Sequence, residues 1–296
     1  MTSGAFPFLP KGGRMTAFAD ILDTVRRHGP VVHCITNYVT VNDCANVVLA
    51  AGGSPIMADD AAEVEDIVAL SQALVINIGT LNSRTVESML AAGRRANSLG
   101  KPVVLDPVGA GASALRNSTL QRLLDEVRFA AIKGNASEIG FLAGKNAKAR
   151  GVDAEDASLV TEAGLEGAAA TARRLSSDTG AVVVISGAID IVAHPGGAWA
   201  VRNGHPLMAR ITGSGCMSAA VMGCCLGVMP HEAPHACLCA VSAMGVAGEM
   251  AAEIMAGGGE MGGLGGGTGS YRALLLDAMS LLDGPLLEDR ADVKHI

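Results

Sequence analysis

The chain has 296 residues, enough for one large domain with a generous core or for two small ones, and no break in composition argues for two. Its net charge is −7 and its 22 basic residues form no cluster, which leaves a phosphate backbone nothing to grip and excludes nucleic acid as an expected partner. Hydrophobic residues make up 49% of the chain but aromatics only 3%, so the core has to come from Ala, Val, Leu, Ile and Met, a mixture that suits helices packed on a parallel sheet.

Residues 17–28 carry Phe18, Ile21, Leu22 and Val25 at helical spacing, with Gly29-Pro30 as the stop. A short β-rich segment follows at 31–35, then a polar loop and a helix over 41–51. Residues 54–57 read as a strand and 61–70 as a helix with its acids Glu63, Glu65 and Asp66 early, where the helix dipole favours them. The alternation then becomes regular: strand 73–78, helix 84–99 introduced by Asn82 and Ser83, strand 102–105, a helix around 118–127 with Ser118 and Gln121 at capping-box spacing, and strand 129–132. Strand, helix, strand at these lengths means parallel pairing. The expected fold class is α/β, with a mostly parallel central sheet, helices on both faces and antiparallel edge strands.

Asn135-Ala136-Ser137-Glu138 opens a short helix, and 145–162 is charged and irregular. A helix over 166–178 leads to strand 181–185, and 189–194 with 199–202 read as antiparallel pieces at the sheet edge. Two helices follow, 214–227 and about 235–255. Residues 257–269 are glycine-dominated and read as a flexible loop, and 270–282 as a closing helix. Residues 1–15 are expected to form a flexible tail ahead of a single domain over 16–296. The tail has no continuous apolar stretch, so it is neither a signal peptide nor an anchor. The longest apolar run, 216–229, is too short to span a bilayer, and no membrane association is expected. Seven cysteines, an odd number with several inside apolar helical patterns, suit a reducing cytoplasm.

Ligands in open parallel sheets sit beyond the carboxyl ends of the strands. Three polar clusters fall there: Asp106 after Val104-Leu105, then Lys133, Asn135 and Glu138 after the next strand, then Ser186. Each has a plain alternative, since Asp106 suits a loop cap, Asn135 with Glu138 a capping box, and Ser186 a turn. A fourth feature is the turn Thr212-Gly213-Ser214-Gly215-Cys216, which runs straight into an apolar helix. Its glycines let successive backbone N–H groups face one concavity, and the positive end of the helix adds to that field, so it suits a bound anion. A plain tight turn with Ser214 as cap is the alternative. Together, two carboxylates for Mg²⁺, an amide, a lysine and an anion-holding helix start are the parts of phosphoryl transfer. Cys224, Cys225, Cys237 and Cys239 have poor spacing for zinc and read as buried small residues, as His33 reads as structural.

The run Asn135-x-x-Glu138 with the Gly213-Ser214-Gly215 turn resembles the ribokinase-like fold. The segments His33-Cys34-Ile35-Thr36-Asn37-Tyr38-Val39, Gly53-Ser54-Pro55-Ile56-Met57-Ala58, Val104-Leu105-Asp106-Pro107-Val108-Gly109-Ala110 and Ile132-Lys133-Gly134-Asn135-Ala136-Ser137-Glu138-Ile139 resemble, in order, those of the hydroxyethylthiazole kinase family of thiamine salvage. The resemblance implies ATP-dependent phosphorylation of the hydroxyl of 4-methyl-5-(2-hydroxyethyl)thiazole. It places Met57 and Gly213 against the thiazole with Asn37 and Val39 lining its pocket, Lys133 and Ser186 on ATP with Asn135 beside them, and Asp106 and Glu138 on Mg²⁺. It also implies a cytoplasmic homotrimer with sites between subunits. Cys216 stands where sugar kinases carry an aspartate base; it belongs to the catalytic turn with Gly213, Ser214 and Gly215, and proton abstraction by it stays open because a free thiol is mostly protonated at neutral pH. Kinases for hydroxymethylpyrimidine or pyridoxine, and an ATP-dependent dehydratase of the same fold, are the alternatives.

Overall fold

The computed structural model describes residues 18–144, 160, 162–257 and 266–296. The expected tail at 1–15, nearly all of the charged segment 145–162 and most of the glycine-rich loop 257–269 lie outside them. Eleven α-helices and nine strands follow in chain order among the described residues: α1 Phe18–His28, β1 Val31–Ile35, α2 Val41–Ala51, β2 Ser54–Ile56, α3 Val64–Leu70, β3 Ala73–Asn77, α4 Ser83–Ser98, β4 Val103–Asp106, α5 Ala114–Glu126, β5 Ala131–Asn135, α6 Ala136–Gly144, α7 Leu165–Thr179, β6 Val182–Ser186, β7 Asp190–His194, β8 Gly197–Val201, α8 Ser214–Val228, α9 Ala233–Gly257, α10 Thr268–Leu281, α11 Gly284–Arg290 and β9 Val293–His295. The strands form one sheet in the order β2-β1-β3-β4-β5-β6-β7-β8-β9. Pairing is parallel from β2 to β6 and antiparallel from β6 to β9.

Helices cover both faces, as strands that are apolar on each side require. Val32, Cys34, Val75, Val104, Val182 and Val184 point into one core with α1, α2, α8, α9 and α10, while Leu74, Ile76, Val103, Leu105, Ile132, Val183 and Ile185 point into the other with α3 to α7. The helix α8 lies close on the sheet because Gly223 has no side chain there; a Cβ would stand 2.7 Å from Val75 Cγ2 and 2.8 Å from Val32 Cγ1. With α9, it forms the middle of the first core. At 25 residues α9 is the described helix long and apolar enough to cross a bilayer, longer than the run at 216–229 singled out above, but most of it is buried inside this core.

Most boundaries fall within one or two residues of expectation; four departures are larger, each for a local reason. The first turn of the 61–70 helix is replaced by an Asx turn in which Asp60 Oδ1 accepts the Ala62 N–H at 2.9 Å. The helix placed at 118–127 starts at Ala114, because Ser113, not Ser118, caps it by accepting from Arg116 N at 3.3 Å. The strand placed at 129–132 is β5, which runs on to Asn135. Register with β6 extends from Ala131↔Val182 to Asn135↔Ser186 and overrides the poor strand propensity of Lys133-Gly134-Asn135, so Lys133 lies in the strand and not after it. Finally α10 does not close the chain. Asp283 caps α11 through Leu286 N at 2.8 Å, and β9 then adds a last antiparallel strand to β8.

Candidate active site

The carboxyl ends of β3, β4, β5 and β6 face the start of α8 across a cleft of about 360 Å³. Asn37, Val39, Asp106, Lys133, Asn135, Glu138, Ser186, Gly213, Gly215 and Cys216 line it, so ten residues singled out in the sequence come together. Ser214 and Met57 are not among its lining. Met57 follows β2 at the far edge of the sheet and is half-buried against the α8-side core.

The α8 end of the cleft is built around Gly213. Its φ of +90° is in the left-handed region that favours glycine, and a Cβ would stand 2.7 Å from Thr40 Cγ2. As N-cap it brings no side chain to the helix's free N–H groups, so the positive end of α8 stays available to a ligand at the cleft. Ser214 is therefore not the cap that the plain alternative made it.

Opposite stands Asp106, the last residue of β4, buried and pushed up to about 6, first by burial and then by the neighbouring Glu138 charge, with Lys133 acting the other way. Glu138 completes the expected capping box of α6: its Oε2 accepts from Asn135 N at 2.8 Å, while Asn135 Oδ1 accepts from Glu138 N at 2.9 Å. Its other oxygen accepts Gly109 N at 2.8 Å, which ties the loop after β4 to α6. The capping box and the cleft role are thus the same residues. Lys133 is buried in β5 and its Nζ donates to the Gly215 carbonyl at 3.1 Å. Ser186 Oγ donates to the Gly134 carbonyl at 3.4 Å.

Cys216 is in the first turn of α8. Burial and the Asp106 charge push its thiol up, outweighing the donors that converge on the sulfur, Asn77 Nδ2 at 3.2 Å and Asn37 Nδ2 at 3.4 Å. At neutral pH it is a thiol, not a thiolate. The other six cysteines are buried, and none of the seven forms a disulfide. Burial likewise holds His33 below the usual imidazole range, and its Nε2 bonds the Ala58 carbonyl at 2.8 Å.

Several residues of the site escaped the sequence reading. Thr40, Gly79, Thr80 and Val108 also line the cleft. Arg116 of α5 donates to the carbonyls of Ile78, Gly79 and Val108, the last two at 2.7 and 2.6 Å, and so clamps two loops of the rim. Asp190 Oδ1 accepts Gly187 N at 2.8 Å and fixes the turn after Ser186; burial pushes this carboxyl up to about 6. Asn77 ends β3 as Asp106 ends β4, and the strand-end rule that found Asp106 would have found it.

Comparison with known proteins agrees with this architecture. The hydroxyethylthiazole kinase family model matches residues 22–284. A hydroxyethylthiazole kinase from Desulfovibrio desulfuricans is 88% identical over 283 residues, covering 95% of this chain and 99% of that protein. The solved hydroxyethylthiazole kinase of Pyrococcus horikoshii OT3 superposes with a TM-score of 0.81 at 35% identity, over 94% of this chain and 98% of that one. A ribokinase-like superfamily protein from Enterococcus faecalis V583, at 14% identity and a TM-score of 0.56 over 87% of this chain and 88% of that one, shares the fold. Four sequence segments, the glycine turn at 213–215, a nine-stranded sheet and a cleft with acids facing a helix start converge on one result: the chain belongs to the hydroxyethylthiazole kinase family.

Proposed function

We propose that the cleft transfers the γ-phosphoryl group of ATP to the hydroxyl of 4-methyl-5-(2-hydroxyethyl)thiazole, giving the phosphate ester and ADP in thiamine salvage. The observation that carries this reading is that the uncapped start of α8 shares one cleft with Asp106, Glu138 and Lys133, so positive and negative groups flank the path of a migrating phosphoryl group. Family membership supports the substrate and the co-substrate.

In this reading Gly213, Ser214 and Gly215 present backbone N–H groups to the phosphoryl oxygens. Lys133, Ser186 and Asn135 hold the nucleotide, the lysine as a buried cation beside the turn. Asn37, Val39, Met57 and Gly213 hold the thiazole. A buried carboxylate, Asp106, whose proton affinity the neighbouring Glu138 charge helps to raise is one that a hard divalent cation relieves, so Asp106 and Glu138 fit Mg²⁺. Bound there, the ion would offset the charge of the phosphates. As a protonated thiol, Cys216 orients the accepting hydroxyl instead of removing its proton, and a loose transition state asks little of a base. The hydroxyl oxygen forms its bond to phosphorus as the bond to the ADP oxygen breaks, and the hydroxyl proton passes through a transferred phosphoryl oxygen to water once the ester has formed.

Val39 and Tyr38 are exposed beside the cleft, and Met57 stands away from its lining; both observations support a homotrimer in which a neighbouring subunit completes the thiazole pocket. The continuous sheet supports a single domain over 16–296, and seven cysteines outside any disulfide support a cytoplasmic location. Coupled ADP release with hydroxyethylthiazole tests the reaction, repeated without Mg²⁺ and with Asp106→Asn. Turnover indifferent to both changes would refute the metal assignment, and light scattering in solution reads the trimer.

A further inference from the structure

Asn77 is buried, ends β3 and stands in register with Asp106 on β4. A side-chain amide offers two N–H donors and an oxygen with two lone pairs, and here every one is used. Nδ2 donates to Asp106 Oδ2 at 2.6 Å and to Cys216 Sγ at 3.2 Å, while Oδ1 accepts from Asn37 Nδ2 at 3.0 Å and from Gly79 N at 2.8 Å. The orientation of the amide follows from its partners. Turned over, it would set its NH₂ against two donors and its oxygen against a carboxylate.

Asn77 does not line the cleft, but three of its partners' side chains do: Asn37 from the loop after β1, Asp106 from β4 and Cys216 from α8. Gly79, whose N–H it takes, lines the cleft as well. We propose that Asn77 is a positioning residue of phosphoryl transfer, locking the Asp106 carboxylate and the Cys216 sulfur in one fixed relation to each other and to the thiazole-side amide of Asn37. The proposal rests on the kinase reading above.

The chemistry supports a role beyond packing. A carboxylate buried at a strand end can rotate about its last bond, and the short Asn77 bond fixes that rotation, leaving its remaining lone pairs turned to what the cleft holds. The sulfur is held as an acceptor by two amide N–H groups, which directs its own proton away from them. Asn37 Oδ1 in turn accepts Thr40 N at 3.1 Å, so the chain of bonds runs from β4 through Asn77 to the cap of α2, against which Gly213 packs. A serine can replace only part of this, because its hydroxyl donates one bond where the amide donates two.

The test is steady-state kinetics of the full chain with hydroxyethylthiazole and ATP for wild type, Asn77→Ala and Asn77→Ser. Melting temperature and circular dichroism are recorded for each protein. Asn77→Ala is expected to lower kcat about 30-fold with both KM values within about threefold of wild type, and Asn77→Ser to recover part of the loss, as removal of one hydrogen bond to a charged group predicts. A structural role alone would lower the amount of folded enzyme without this split and without rescue by serine. Raised KM with kcat intact, or kcat within twofold of wild type for folded Asn77→Ala, overturns the proposal. If the alanine variant does not fold, wild-type kcat in Asn77→Ser overturns it equally, because that variant keeps only one of the two donors. Inactive wild type with hydroxyethylthiazole would refute the kinase reading, an outcome distinct from active but unaltered variants.

Discussion

Lys133 Nζ and the Gly215 carbonyl are 3.1 Å apart, so a buried cation from the middle of the sheet is bonded to the first turn of α8. The bond places positive charge next to the backbone groups proposed to receive phosphate, and it holds the turn against β5. Lys133→Met keeps the stem's volume and removes both effects. The KM for ATP should rise about tenfold or more, with the affinity for thiazole nearly unchanged. Initial rates with each substrate varied in turn check this.

Gly213 and Gly215 respond differently to the same substitution. At Gly213 the new Cβ meets Thr40 Cγ2 at 2.7 Å and the backbone sits at φ +90°, so Gly213→Ala must move the turn, at a cost of about 1–2 kcal/mol in backbone strain alone. At Gly215 the Cβ meets only Lys133 Nζ, at 3.0 Å, the far end of a flexible side chain. Gly213→Ala should lose about 100-fold in kcat/KM, the scale of an ångström-size misplacement, and Gly215→Ala clearly less. Similar losses in the two variants would count against the turn geometry.

Asp106 carries a stability cost at neutral pH. Its carboxyl is pushed up to about 6 in the folded chain, so the folded state binds a proton more readily than the unfolded one. That contribution favours folding fully below the unfolded value near 4 and is lost as pH rises through about 6. Asp106→Asn, measured without divalent cation at pH 7, should therefore be inactive yet more stable, by about 3 kcal/mol at most. Its melting temperature should rise by several degrees. A lower melting temperature in the variant would contradict the electrostatic account.

His33 behaves in the opposite sense. Its ring is buried, Nδ1 has no partner among the described groups, and burial lowers its proton affinity. Stability from the neutral ring is fully present above the unfolded value near 6.5 and falls as pH drops from there toward the folded value, with a slope of at most about 1.4 kcal/mol per pH unit. Chemical denaturation at several pH values between 5 and 8 should show this slope in wild type and a shallower one in His33→Gln. Parallel profiles would remove His33 from the account.

The alternation of strands and helices was legible because both periods are local: apolar residues at helical spacing in α4, and continuous Val, Leu and Ile in β3, β4 and β6, bounded by Gly, Pro and polar turns. The strand-end rule then located Asp106, Lys133, Glu138 and Ser186. What the sequence could not give was the end of β5, whose last three residues are held by pairing with β6 and by nothing in their own propensity. The last strand, β9, has three residues and exists through its pairing with β8.

The residues by themselves determined the class of fold and the inventory of charges, amides and glycines, since these follow from side-chain chemistry and spacing along the chain. Only the tertiary structure decided which of them meet. It put Asn77 between Asp106 and Cys216, made Arg116 a clamp for two loops, and raised the Cys216 thiol by burying it next to a carboxylate. Such proximities join segments up to 139 residues apart, and the proton affinities of buried groups depend on what surrounds them in space.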